Sequence, residues 1–307
     1  MTVYKPEGSL ISTPANIAAL KSPAALQEAF LQGKILEARA MSCDCDHNLI
    51  LDLGCMKGVI PRAEAAIGIE EGDVRDIAII SRVNKPTCFK ILCFGKDENG
   101  CSYAILSRRA VQEECRKKYI ENLVPGDILP VCITRLEPFG CFVDIACGII
   151  SMIPIDFISV SRISHPADRF QSGQNIYAVI KSIEPNGKIT LSHKELLGTW
   201  KQNAECFHIG ETVSGIIRSI ENYGIFVELT PNLAGLAEPK DGVSIGQHAS
   251  VYIKNLIPEK MKVKLIIIDS FHAEYTQNEP KYFIESNHID RFIYSPIESQ
   301  KLIETIF

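Results

Sequence analysis

The sequence predicts an all-β chain of tandem five-stranded barrels, joined by short helical spacers and followed by a small C-terminal extension. Three observations carry that prediction. The chain repeats itself with a period of domain size. Each repeat alternates apolar and polar residues with period two and is broken by Gly, Pro and Asn. Between repeats the pattern changes to that of a helix.

The repeat is clearest between Gly126–Ile145 and Gly210–Leu229, which align without a gap at an offset of 84. Gly126/Gly210, Glu137/Glu221, Gly140/Gly224, Phe142/Phe226 and Val143/Val227 are identical; Phe139/Tyr223 and Asp144/Glu228 are conservative. The second halves match at an offset of 73, where Gly173-Gln answers Gly246-Gln and Lys188-Ile-Thr-Leu191 answers Lys262-Val-Lys-Leu265. The offset falls because the middle unit carries an extra loop, FISVSRISHPADRF. A weaker upstream copy runs through Gly33-Lys-Ile-Leu36, Leu51-Asp-Leu-Gly54, Gly58-Val-Ile-Pro61 and Leu106-Ser-Arg-Arg109. Five short strands per unit, with a loop before the fourth, suit an OB-fold barrel. PNGK at 185–188 marks the turn between the last two strands of the middle unit.

Taken in order, the expected organisation begins with an N-terminal extension over 1–32. There SPAALQEAFLQG reads as a short helix, with Ser22 as cap, Pro23 at its first position and Gly33 past its end. A divergent barrel over 33–112 follows, then a helical spacer over 113–123 and a barrel over 124–194. A second helical spacer over 195–207 contains Trp200, expected to pack between units. The last barrel spans 208–269. The extension over 270–307 is acidic and rich in Tyr, Phe and Ile, and is expected to pack as an added strand and a helix.

Composition narrows the function. The 307 residues are 46% hydrophobic and 22% charged, an ordinary globular balance that excludes wholesale disorder. The longest uncharged apolar stretch, Ile145–Ile155, has 11 residues. A membrane-spanning helix needs about 20. MTVYKPEGSL shows no basic region followed by an apolar core, so export is not expected. The 11 cysteines are therefore read as free thiols in a reducing cytoplasm. Cys43, Cys45 and His47 form the one local cluster, but no second ligand pair has metal spacing. They are read as turn residues, and no metal and no cofactor are assigned. The net charge is −5, so any nucleic-acid surface must be local. Segment 116–200 has the least negative balance.

Alternation assigns faces. In the second strand Val143 and Ile145 point to one side, Phe142 and Asp144 to the other. An unpaired carboxylate in a small core is costly, so the Asp144 side is read as the wet one and Phe142 as exposed. The last unit repeats this, with Val227 and Leu229 inward and Phe226 and Glu228 outward. The glycine before each pair permits a bend that brings Phe139 or Tyr223 to the same face. In the final strands Ile189, Leu191, Val263 and Leu265 face inward; Lys188, Thr190, Lys262 and Lys264 face outward. Exposed aromatics ringed by cations suit single-stranded nucleic acid, because bases stack on rings while ammonium groups track phosphates. The stacking candidates are Phe139, Phe142, Tyr223 and Phe226. The phosphate candidates are Arg135, Lys181, Lys188, Arg218, Lys254, Lys262 and Lys264. The first unit lacks the pair; Cys45-Asp-His47-Asn stands there, and that barrel is expected to bind poorly or to dock.

The motif Gly126-Asp, Phe139-Gly-Cys-Phe-Val-Asp144, Gly173-Gln and Lys188-Ile-Thr-Leu-Ser192 resembles the S1 RNA-binding domain of the bacterial ribosomal protein S1 family. The last unit is similar through Gly210-Glu, Tyr223-Gly-Ile-Phe-Val-Glu228, Gly246-Gln and Lys262-Val-Lys-Leu265. The resemblance covers about 33–269. It implies OB-fold barrels that bind single-stranded RNA through the outward aromatic pair and nearby cations. It also implies work in translation or mRNA handling, with mRNA and the small ribosomal subunit as partners. Two features depart from the family. A histidine that usually follows the third strand is replaced by Pro154 and Glu238, and there are only three repeats.

An enzyme is not expected. The chain has no G-x-x-x-x-G-K-[ST], no H-E-x-x-H and no G-x-S-x-G. His165 and His193 are read as surface residues. The alternative function is a protein-interaction scaffold, ribosome- or nuclease-associated, that has lost much of its RNA affinity. Neither reading involves a membrane.

Overall fold

The computed structural model describes residues 4–98, 100–273 and 279–307. It contains three closed five-stranded barrels and a small two-stranded sheet. The first barrel comprises β1 (Leu36–Cys43), β2 (Leu49–Asp52), β3 (Lys57–Ile60), β4 (Pro86–Lys96) and β5 (Ser102–Ser107). The second comprises β6 (Ile128–Glu137), β7 (Gly140–Ala146), β8 (Ile149–Pro154), β9 (Asn175–Ile183) and β10 (Ile189–Ser192). The third comprises β11 (Thr212–Glu221), β12 (Gly224–Thr230), β13 (Leu233–Ala237), β14 (His248–Ile257) and β15 (Lys262–Phe271).

All three share one topology. Three strands meander, the fifth lies parallel to the third, and the fourth closes on the first. A parallel pair cannot be joined by a tight hairpin, so each barrel needs a longer crossover after its third strand. The first two crossovers contain helical turns at Arg62–Glu64 and Ile77–Ile80, and at Ile155–Phe157 and Pro166–Asp168. The third, over 238–247, has none, as the shorter last repeat required.

The cores follow the alternation. In the second barrel Val131, Ile133, Val143, Ile145, Ile153, Ile180, Ile189 and Leu191 are buried. In the third, Val227, Val251, Ile253, Val263 and Leu265 are buried, with Leu229 packed at the margin. Closure disposes of most of the exposed edge an open sheet would leave; the opening residues of the third barrel's first strand precede its pairing with β12, which starts at Ile216.

The chain divides into two compact units, Met1–Leu123 with Asp144–Ile150, and Val124–Val143 with Ser151–Phe307. Within the first, the helix Pro23–Leu31 starts at Ser22, whose Oγ accepts from the Ala25 N–H at 3.2 Å. Leu26 and Ala29 on it join the first barrel's core. A preceding helix, Pro14–Leu20, presents Asn16, which donates to the Glu37 carbonyl at 2.8 Å and accepts from its N–H at 2.9 Å. The first spacer is helical over Arg109–Lys118, burying Val111 and Cys115. The second is broken by Gly198 (φ 86°) into a helical turn, Lys194–Leu197, and a helix, Trp200–Ala204, with a Thr199/Gln202 capping box. Trp200 belongs to the core of the third barrel.

The tail corrects the expectation of a strand and a helix. Its described residues form two paired strands, β16 (Arg291–Ile293) and β17 (Glu304–Ile306), and no helix. Tyr294 enters the third barrel's core, and its hydroxyl donates to the Asn232 carbonyl at 2.6 Å. Among the described residues no helix is long and apolar enough to cross a membrane.

Candidate nucleic-acid interface

Gly140 and Gly224 open β7 and β12, where a Cβ would strike the carbonyls of Ile153 and Ala237. The strand approaches its neighbour too closely for any other residue. One residue upstream, Phe139 and Tyr223 stand on the surface, 54% and 68% exposed. Two residues downstream, Phe142 and Phe226 turn to the same face. The rings meet edge to face, Phe139–Phe142 at 6.1 Å and 90°, Tyr223–Phe226 at 6.2 Å and 89°. Phe142 is half-buried rather than exposed, because its neighbour covers one edge and the Arg135 guanidinium lies 4.8 Å over its face. Phe226 is likewise half-buried.

The cations differ in how free they are. In the third barrel the pairings Ser219–Phe226–Leu236–Lys264 run across four strands. At the usual strand spacing Lys264 stands about 10 Å from Phe226, a span that suits a base and its phosphate. Lys264 and Lys262 are both exposed. Lys254 pairs with Glu238 at 3.2 Å, so the acid at the family's histidine position is met by a lysine of its own barrel. Arg135 lies 3.0 Å from Glu137 and Lys188 lies 3.8 Å from Glu184. Exposed pairs of this kind contribute little and open readily to a competing phosphate. The Lys181 ammonium lies 5.4 Å over the ring of Phe307.

Arg218 is placed differently. The register of β11 against β12 slips between Ile217 and Ser219, making Arg218 a bulge residue. The bulge re-aims its side chain onto Glu228 (2.8 Å) and Asp168 (3.5 Å), where it is 11% exposed. Its charge is engaged inside the protein.

The outward acids are not wet. Asp144 is 3% exposed and Glu228 5%. Alternation placed them on the outer face correctly, but other segments cover that face here. The Asp144 carboxylate accepts from the N–H groups of Glu7 (2.8 Å) and Gly148 (3.0 Å). Burial and the nearby Glu7 charge push its pKa up to about 7. Glu228 accepts from Ser161 Oγ (2.8 Å), Arg169 (2.5 Å) and Arg218 (2.8 Å). Burial alone would raise its pKa, but the two guanidiniums more than offset this and hold the carboxyl below its ordinary range.

His193 corrects the surface reading. It is buried at the end of β10, its Nδ1 3.0 Å from the Ile158 carbonyl and its Nε2 3.3 Å from the Tyr282 hydroxyl. With Nδ1–H donating to Ile158, Nε2 accepts from Tyr282, whose oxygen accepts from the Tyr177 N–H at 3.1 Å. Burial pushes its pKa down from 6.5 to about 4. A base with a lowered folded pKa stabilises fully above its unfolded value and loses that contribution as pH falls toward the folded one. His193 should therefore withdraw stability between pH 6.5 and 4, against the gain that the raised Asp144 gives as pH falls, and His193→Asn should remove that loss from the urea-midpoint profile. An unchanged profile would refute the assignment.

In the first barrel, Asp44 Oδ1 accepts from the N–H groups of Asp46 (3.0 Å) and Asn48 (2.8 Å), closing a turn with His47 at φ 62°. Cys45 and His47 sit in this turn. Among the described residues no group of His, Cys, Asp and Glu is arranged to hold a metal ion.

Residues 123–194 match the S1 RNA binding domain family. Similarity extends further along the chain. The small ribosomal subunit protein bS1 homolog of Bacillus cereus is 26% identical over 296 residues, 89% of this chain and 74% of that protein. The bS1 protein of Staphylococcus aureus is 26% identical over 304 residues, covering 92% and 75%. That of Rickettsia conorii is 25% identical over 267 residues, 81% of this chain but only 44% of the relative, so the chain spans less than half of that protein's length. Three barrels of one topology, an S1 match on the second and similarity along most of the sequence show that this chain is similar to the bacterial bS1 proteins.

Proposed function

We propose that the chain binds single-stranded RNA in translation or mRNA metabolism, through the outer faces of its second and third barrels. The supporting observation is the aromatic pair, repeated in one edge-to-face geometry beside exposed cations. Phe139, Phe142, Tyr223 and Phe226 stack bases. Arg135, Lys188, Lys254, Lys262 and Lys264 contact phosphates, as does Lys181 once the Phe307 ring gives way. Arg218 acts as a positioning residue beneath the third barrel's pair. The reading assigns no reaction and no cofactor. The relatives' names point to the small ribosomal subunit as a partner; mRNA as the ligand and a cytoplasmic location are part of the proposal.

Fluorescence anisotropy with labelled RNA, across a salt series, tests this. Micromolar or tighter binding to single strands is expected, with weaker binding to duplex. If the five exposed cations all reach phosphates, log K should fall with log salt at a slope of about −3.5. No binding at low salt would overturn the proposal. The first barrel's lack of the aromatic pair favours a second reading for that barrel, a protein-docking role. A pull-down after nuclease treatment that recovers no protein would remove it.

A further inference from the structure

The second barrel's first strand begins at an edge filled by the tail. The Ile128 N–H donates to the Asn287 carbonyl, and the Ile289 N–H to the Gly126 carbonyl, both at 2.9 Å. Asp127 bridges to His288, whose Nδ1 lies 2.7 Å from the Asp127 carboxylate. Beside this edge Tyr282 packs edge-on against Tyr177 at 5.4 Å.

The third barrel has the same edge. The repeat places Gly210-Glu211-Thr212 where the second barrel has Gly126-Asp127-Ile128. The internal bonds match: Gly126 N–H to Ile180 O (2.8 Å) and Ile180 N–H to Asp127 O (2.9 Å), against Gly210 N–H to Ile253 O and Ile253 N–H to Glu211 O, both 2.9 Å. Each acid also accepts from a backbone N–H three residues before it, Val124 at 2.9 Å and His208 at 2.7 Å. Yet among the described residues no segment outside the barrel pairs with Gly210–Thr212.

The neighbouring surface differs in the same sense. Val179 pairs with Ile128, and Tyr252 with Thr212. Val179 and the nearby Ser192 are buried. Tyr252 and Ile266, which pair with each other across β14 and β15, are exposed, as is Ile268 two residues on. Larger apolar side chains therefore stand uncovered beside an unfilled strand edge. An open edge flanked by apolar side chains is the arrangement used for strand addition, in which backbone bonds give affinity and side-chain contacts give specificity.

We propose that Gly210–Thr212, with Tyr252 and Ile266, docks an extended peptide of a partner protein carrying an aromatic or aliphatic residue and a cation. The tail supplies the template for the backbone bonds and the cation, since its Asn287, His288 and Ile289 meet the matching edge in the second barrel, while the exposed Tyr252 and Ile266 call for the aromatic or aliphatic residue. Glu211 stands where Asp127 meets His288, so a cationic peptide is favoured. Glu211 and the exposed Asp269 disfavour a phosphate backbone.

The test adds a labelled peptide of residues 280–291 to the full chain. Saturable one-to-one binding is expected. The exposed-surface variant Tyr252→Ser/Ile266→Ser should weaken it by at least about ten-fold, as should Glu211→Lys, with RNA affinity unchanged. Absence of binding would overturn the proposal. So would binding insensitive to these variants but lost in Asp127→Ala, which would show exchange with the chain's own tail. Loss of RNA affinity alone would assign the face to nucleic acid. Dimerisation removed by the variants would assign it to a second copy.

Discussion

Replacing Phe142 and Phe226 together by alanine should weaken single-stranded RNA binding by about thirty-fold or more. Base–aromatic stacking is worth about 1–3 kcal/mol per base, and two lost stacks at the lower end already reach that factor. Both rings are half-buried on the outer face and neither belongs to the inward set led by Val143 and Val227. Truncation therefore removes surface and leaves the barrels closed. Circular dichroism should be unchanged, and the salt slope nearly so, because the cations remain. Phe139→Ala and Tyr223→Ala should each have a smaller effect, since those rings lie out in solvent and lose more freedom when a base orders them. Unchanged affinity in the double variant, with the fold intact, would remove these rings from the binding site.

Glu228→Ala should destabilise the chain by about 3–5 kcal/mol, because removing one member of a buried ion cluster leaves the others uncompensated. Arg169 and Arg218 converge on this carboxylate with side chains only 5% and 11% exposed. Glu228→Gln keeps the shape but not the charge and should fall between. Trp200 is the only tryptophan and sits in the third barrel's core, so its fluorescence in urea reports the loss directly. A cost below about 1 kcal/mol would mean the cluster behaves as a surface pair. A residue that looks like part of the binding face would then affect folding no more than its neighbours do.

Much of this was legible in the sequence. Closed five-stranded barrels followed from repeat length, alternation and turn residues, because the glycines at 140 and 224 and the inward aliphatics are demanded locally. The direction of each aromatic was legible too, since period two leaves no choice once Val143 and Val227 are inside. What alternation could not show is whether an outward face meets water. Asp144 and Glu228 point outward and are buried by segments distant in sequence: Glu7 in one case, Ser161 and Arg169 in the other. Arg218 escaped for a related reason, since a one-residue bulge changes a side chain's aim without changing the hydrophobic pattern. His193 escaped because Tyr282, which covers it, arrives from the tail. The conservative Asp144/Glu228 match was a usable signal: an acid kept at one repeat position on a face meant for phosphates needs another explanation.

The position of Tyr294 has a consequence for synthesis. The last strand of the third barrel ends at Phe271, yet its core is completed by Tyr294, and the Trp200 N–H donates to the Tyr294 carbonyl at 3.0 Å. The second barrel likewise waits for Tyr282 to cover His193. A nascent chain elongates at about 5–20 residues per second, so for some seconds after its strands have emerged the third barrel lacks its closing side chain. The first barrel, whose bracing helix Arg109–Lys118 follows its last strand directly, has no such delay. Maturation of the two candidate binding barrels is thereby tied to synthesis of residues beyond their last strands, and ribosomes stalled before codon 294 would carry a third barrel still open to proteases and chaperones.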